Sequence, residues 1–287
     1  MSSSADLSMP KGYRESYKGF VPAWECDNVE HFTVAFYFDR LERATARFLL
    51  DAGLEASALG TVTHRDFYVR YAREFRAGSV FMIQTGIISR QGAQLHLGHR
   101  VVDVANGQVC TTIEHTLDGA AIEQINASDT VDWDGPARDT RLDVPNDGPW
   151  LSTGTDIVMP GELDWNGRYR PSAVVHRFSS AGSHLMARFG WTPAYEDDSR
   201  IGFSTFEFQL RLTDLPGLAA PLDMQGCVAH MGRSSVHIVH RIVAPGSGNT
   251  LAVLHQLGVH LDKDARRPSP IPEAIKAAAQ SALVSAG

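Results

Sequence analysis

The side chains best placed to do chemistry gather ahead of two amphipathic runs. The first segment reads Asp27-Asn-Val-Glu30-His31-Phe-Thr33, the second Asp164-Trp-Asn166-Gly167-Arg168-Tyr-Arg170. A carboxylate at the start of a helix can cap it, accept a proton or attack an electrophile. Spacing alone leaves these roles open, and capping is the commonest of them. Cys26 adjoins Asp27, but a reactive thiolate needs an electropositive setting and its neighbours are Glu25 and Asp27. A buried structural thiol is therefore expected.

Histidines form the other conspicuous group. Residues 95–102 read LHLGHRVV and residues 236–243 read VHIVHRIV. His96 and His99 stand three apart on a predicted strand, so they point to opposite faces and cannot share a metal ion. His99 falls with Leu95, Leu97 and Val101, and His240 with Val236, Ile238 and Ile242; both are expected to be partly buried and hydrogen-bonded. His96 with Arg100, and His237 with Arg241, take the other face. Three scattered cysteines give neither a disulfide framework nor zinc spacing, and no nucleotide-binding fingerprint is present. No metal and no cofactor is expected.

The elements that must position these residues occur twice. His96 maps to His237, His99 to His240 and Arg100 to Arg241 at an offset of 141, and His115 and Leu117 map to His255 and Leu257 at 140. Upstream, an offset of 137 carries Asp27 to Asp164, Phe38 to Val175, Leu41 to Phe178, Phe48 to Leu185 and Gly53 to Gly190. An ordered set of matches with slow drift is the signature of an internal duplication. Each copy begins with an extended segment (19–25; 156–163) and continues into a helix, about 34–52 and 172–189. Phe38, Leu41, Thr45 and Phe48 line one helix face; Val175, Phe178, Ala181, Leu185 and Phe189 line the other. Alternating segments follow at 61–76, 78–90, 93–104 and 108–117, then at 201–213, 221–232, 234–244 and 249–262. Hairpin turns are predicted at Asn106-Gly107 and Gly248-Asn249.

A helix followed by an antiparallel meander is an α+β unit. The Asp-, Pro- and Gly-rich stretch 120–155 lacks periodicity and reads as connection. The predicted organisation is an N-terminal domain 1–125, a linker 126–155 and a C-terminal domain 156–287, with an alanine-rich helix over 271–285. A hydrophobic fraction of 43% across 287 residues supports two cores, and a formal net charge of −7 argues against a general nucleic-acid binder. The first twelve residues carry no apolar core for a signal peptide and no apolar run spans a bilayer, so a cytoplasmic location is expected.

The two Asp-led segments resemble the D-x-x-G-H-x-N pattern that precedes the long helix in thioesterases of the 4-hydroxybenzoyl-CoA thioesterase type. The first copy keeps the aspartate and histidine but has Glu30 and Thr33 at the glycine and asparagine positions. The second keeps the aspartate and glycine but has Arg168 and Arg170. Residues 74–88 and the ending Arg267-Pro-Ser-Pro-Ile-Pro-Glu273 are also similar to that family, and the nearest subgroup is the betainyl-CoA thioesterase-like one. The resemblance spans roughly 20–118 and 156–275. It implies a tandem double hotdog, each copy an antiparallel sheet wrapped around a long helix.

The resemblance further implies an acyl-CoA thioesterase acting on a small or medium acyl group. Asp27 would be general base or nucleophile, with His31 orienting the carbonyl or a water and Asp164 as the counterpart in the second copy. Oxyanion donors would come from the Glu30–His31 region or from Gly167. Thr33 and Asn166 would contact substrate, and Arg168 and Arg170 would bind phosphates or lie in solvent. The carrier would be coenzyme A or an acyl carrier protein, and whole pseudo-dimeric chains would be able to pair. A non-catalytic acyl-CoA binder and an enoyl-CoA hydratase or dehydratase are the competing readings. The second of these expects an Asp-(four residues)-His motif, and only three residues separate Asp27 from His31.

Overall fold

The computed structural model describes residues 9–141 and 143–284. The predicted leader reading and the last residue of the predicted C-terminal helix thus concern positions in part outside the described residues. The chain forms two compact units, Met1–Arg138 with Leu163–Ser172, and Asp139–Glu162 with Ala173–Gly287.

In the first unit, β1 (Arg14–Phe20) is followed by α1 (Val34–Asp51), β2 (Thr63–Tyr71), β3 (Val80–Gln91), β4 (Gln94–Asp103) and β5 (Val109–Asp118). These strands form an antiparallel sheet in the order β1-β3-β4-β5-β2. The helix buries Phe38, Leu41, Thr45 and Phe48, the predicted face, together with Tyr37, Glu42 and Leu49. Phe38 meets Phe67 of β2 edge-on at 5.1 Å. Gly53 takes φ 97°, the left-handed value that ends a helix and that a Cβ disfavours.

The second unit repeats this plan. β6 (Leu151–Ile157), α2 (Pro171–Arg188), the short α3 (Pro193–Asp198), β7 (Ile201–Leu212), β8 (Pro221–Met231), β9 (Ser235–Val243) and β10 (Thr250–Asp262) succeed one another. The sheet order β6-β8-β9-β10-β7 matches the first unit strand for strand, with the two-residue β11 (Arg267–Pro268) added beside β10. Val175, Phe178, Ala181, Leu185 and Phe189 are all buried. α4 (Glu273–Ala279) is shorter than the predicted helix and packs Ile275 and Ala279 into the cluster around Leu185 and Phe189.

Three expectations need correction. The extended segments start earlier than 19 and 156, because Pro22 and Pro160 cannot donate to a ladder and the chain turns into a 3-10 turn at each. The connection 120–155 is not a bare linker. Val131 donates its amide to Ile87 (2.8 Å), and the Trp133 indole donates to Glu114 (3.0 Å). A Cβ at Gly98 would meet the Trp133 ring at 2.5 Å, so the glycine is what lets the strap lie on β4. In the second unit Arg241 stacks on Trp150 at 4.1 Å and donates to Asn146 (2.7 Å).

The match of His115 to His255 also fails in three dimensions. His115 lies opposite Leu97 and faces α1, 3.5 Å from Thr45, whereas His255 lies opposite Val239 and meets His237 at 3.0 Å. A one-residue slip on a strand turns the side chain to the other face. At the constant offset of 141 the equivalent of His115 is Gln256, opposite Ile238.

Candidate active site

The two aspartates build the same loop. The amides of Val29 (3.0 Å) and His31 (2.9 Å) donate to Asp27 Oδ1; those of Asn166 and Arg168 (both 3.0 Å) donate to Asp164 Oδ1. The aspartate amide then donates across each loop, Asp27 to the His31 carbonyl and Asp164 to that of Arg168, both at 2.8 Å. Such tight closure needs a left-handed residue in the fourth position. Gly167 has φ 73° at no steric cost, and Glu30 has φ 66° against the preference of its side chain.

That closure uses the amides expected as oxyanion donors. The amide of Glu30 goes to the Asp27 carbonyl (3.0 Å) and that of Gly167 to the Asp164 carbonyl (3.1 Å), while the His31 and Arg168 amides hold the carboxylates. The loops spend their own donors on themselves.

The helix starts differ. Position 34 is the first residue of α1, and its N-cap Thr33 makes no side-chain cap, so the first-turn amides of Val34 and Ala35 have no partner within the helix. The equivalent first residue of α2, at offset 137, is Pro171, which has no N–H to give. The next amide, Ser172, donates to Glu42 Oε1 of α1 at 2.7 Å. Glu42 Oε2 accepts from Arg170 (2.8 Å), and Arg170 also reaches Asp39 (2.9 Å). Arg170 is thus held in ion pairs with Glu42 and Asp39. Burial pushes the Glu42 carboxyl above its usual range, and Arg170 and the Ser172 amide pull it back. Asn166 is committed as well: its side-chain amide and the Trp165 indole both donate to the Val62 carbonyl, at 3.1 and 2.8 Å. Gly167 and Arg168 remain at the surface.

Around Asp27 the setting is more open. All bonds to its carboxylate among the described residues go to Oδ1, and the residue is exposed. Burial raises its pKa above the ordinary carboxylate value; the His31 amide and imidazole oppose the rise. Asp164 is raised by burial too, with the Arg168 amide as the first opposing influence. His31 is nearly enclosed, and its Nε2 lies 2.8 Å from Glu74. Glu74 escaped the sequence reading, because no local pattern links a residue 43 positions downstream of His31 to it. Cys26 stays a thiol: burial and the adjacent carboxylates push its pKa up.

Beneath α1 lies a second group that sequence reasoning saw only in part. His64 Nδ1 and His115 Nε2 are 2.9 Å apart, and His99 Nδ1 is 2.8 Å from the Thr85 hydroxyl. His99 and His240 are fully buried, deeper than expected, and His99 Nε2 and both His240 nitrogens have no hydrogen-bond partner among the described residues. Burial holds His64 and His99 down to about 3 and His115 well below its usual value. All three are neutral when folded, while the unfolded chain takes up protons below pH 6.5. The stability they give is therefore complete above 6.5 and is lost as pH falls toward 3, at about 1.4 kcal/mol per pH unit for each histidine. The urea midpoint should drop steeply from pH 6 to pH 4. His115→Gln, which installs the residue of the second copy, should flatten that slope; an equal slope in the variant would clear His115 of any part in it.

The model of the thioesterase-like superfamily matches residues 21–129 and 158–279, one segment in each copy. The betainyl-CoA thioesterase of Pseudomonas aeruginosa is 30% identical over 120 residues, 42% of this chain and 76% of that protein. The crystal structure of an acyl-ACP thioesterase from Bacteroides thetaiotaomicron superposes with TM-score 0.64 at 11% identity, over 86% of this chain and 98% of that one. The 12:0-ACP thioesterase of Umbellularia californica gives 0.62 at 13%, over 90% and 94%. These last two likenesses establish the fold across both copies. No helix among the described residues is long and apolar enough to cross a membrane. The chain belongs to the thioesterase-like superfamily and is a thioester hydrolase with a tandem double hotdog fold.

Proposed function

We propose that the chain hydrolyses a small or medium acyl-CoA thioester at the first-copy loop. Asp27 takes a proton from water through Oδ2 as the oxygen attacks the thioester carbonyl. The Val34 amide, at the positive end of α1, holds the oxyanion. Collapse of the tetrahedral adduct expels the thiolate, which recovers the proton, and frees the acid. His31, fixed by Glu74, orients the water or the carbonyl.

One observation carries the choice of copy: the first helix turn offers an N–H at Val34 where the second has Pro171 with Glu42 over the next amide. The two loops are otherwise alike, so Asp164 keeps the loop without the donor. Coenzyme A as carrier is supported by the likeness to betainyl-CoA thioesterase, which covers less than half of this chain.

The reading is tested by free-thiol release over a panel of acyl-CoA chain lengths. Turnover is expected for short and medium acyl groups, with an acidic limb in kcat/KM above the ordinary carboxylate range, because a raised Asp27 must be ionised to act. Tight acyl-CoA binding without turnover would make the protein a binder. Turnover confined to acyl carrier protein thioesters would move the carrier.

A further inference from the structure

The Asp27 loop is the tip of a short antiparallel ladder. The Asp27 amide donates to the His31 carbonyl (2.8 Å), Cys26 bridges Phe32, and at the base the Thr33 amide donates to the Glu25 carbonyl (2.9 Å). A hairpin this brief has little stability of its own, and its direction is set by its anchors. Thr33 is also the N-cap of α1, one residue before the Val34 amide.

Glu25 supplies a second anchor through its side chain. Arg40 Nη2 donates to both oxygens of the Glu25 carboxylate, at 2.7 and 2.6 Å. The two side chains are only 15% and 11% exposed, so water and salt screen this charge-assisted bond little. Arg40 lies seven residues past Thr33, about two turns along α1. Glu25 therefore ties the base of the ladder to the helix at two points, by its main chain at the N-cap and by its side chain further along. Held by one bond the ladder could swing; held by two it keeps its aim.

We propose that Arg40 is a positioning residue for the hydrolysis: its pair with Glu25 fixes the Asp27 carboxylate relative to the Val34 amide, so that base and oxyanion donor meet one thioester together. The proposal rests on the reading of Asp27 as the reaction centre. The same pair recurs in the second copy, at the offset of 137 that joins the aspartates: Glu162 pairs with Arg177 of α2, and Leu163 bridges Tyr169 ahead of it. There the helix starts on Pro171 and offers no amide at that place, so loss of the second pair should leave the chemistry alone.

The twin pair supplies the comparison. Arg40→Met and Arg177→Met each remove a guanidinium and keep an apolar stem. In the first, Asp39 loses one donor but keeps Arg43 (3.2 Å) and Arg170 (2.9 Å). Thiol release is measured on folded protein. Arg40→Met should lower kcat roughly tenfold or more, because a small misplacement of reacting groups is costly. Its KM should move less than about threefold, and Arg177→Met should keep kcat within about twofold of the unaltered protein. Equal losses in the two variants, an unchanged kcat in Arg40→Met, or a loss confined to KM overturns the proposal. Should Arg40→Met not fold, Glu25→Gln takes its place: it keeps the main-chain bond to Thr33 and one oxygen for Arg40, and an unchanged kcat there overturns the proposal as well. An active Asp27→Asn would sink the Asp27 reading by itself, and hydrogen exchange then decides the positioning. The His31 and Thr33 amides should exchange roughly tenfold faster in Arg40→Met and at their original rate in Arg177→Met; original rates in both overturn it.

Discussion

Asp27→Asn should lower kcat by two to four orders of magnitude, the range of a positioned general base, while Asp164→Asn should cost no more than a few-fold. Asparagine is the informative replacement because the loop depends on Oδ1. That oxygen accepts from Val29 and His31, and the asparagine carbonyl can accept both bonds. What changes is the second position, where a carboxylate oxygen that can take a proton becomes an amide that cannot. A thermal melt within a few degrees of the unaltered protein would show that the loop is closed and that the loss is chemical. Alanine would confuse the two, since it removes the turn as well as the base. Thiol release measured on both variants separates the copies: if Asp164→Asn is the dead one, the reaction belongs to the second loop and Val34 has no part in it.

How much of this could be read from sequence differs by element. The duplication was legible because helix faces and strand alternation leave periodic marks, and Phe38, Leu41, Phe178 and Leu185 carry them in both copies. The strap over the first sheet was not, because its docking depends on two missing side chains, at Gly86 of β3 and Gly98 of β4, far in sequence from Val131 and Trp133. The aspartates were found by pattern, yet the pattern could not say which amides remain free. That depends on loop closure, where Glu30 and Gly167 reach the same φ from opposite preferences. Glu42 reads as an ordinary helix residue, and only the approach of Arg170 and Ser172 reveals a buried carboxylate that plugs the second helix. One signal was present and unused: aligned at the offset that joins Asp27 to Asp164, Val34 stands against Pro171.

That last pair allows the donor to be removed with little else disturbed. Val34→Pro should lower kcat by two to three orders of magnitude, the cost of one oxyanion donor. Proline normally threatens a helix, but the first helical position is where it is tolerated: its missing N–H was unpaired within the helix, and its fixed φ suits the turn. The residue ahead of a proline must be extended, and Thr33 already has φ −62° and ψ 134°. The second copy shows the same arrangement in place, with α2 starting on Pro171 and running to Arg188. Folding is therefore expected to survive, with a circular dichroism spectrum and melting point close to the original, and KM should change less than kcat because the bond strengthens as the oxyanion forms. A Val34→Pro protein that folds and turns over normally would place the oxyanion on other donors, and the reason for preferring the first copy would go with it. Val34→Ala, which keeps the N–H and trims only a half-exposed side chain, supplies the control: it should retain most activity, since the group at issue belongs to the backbone.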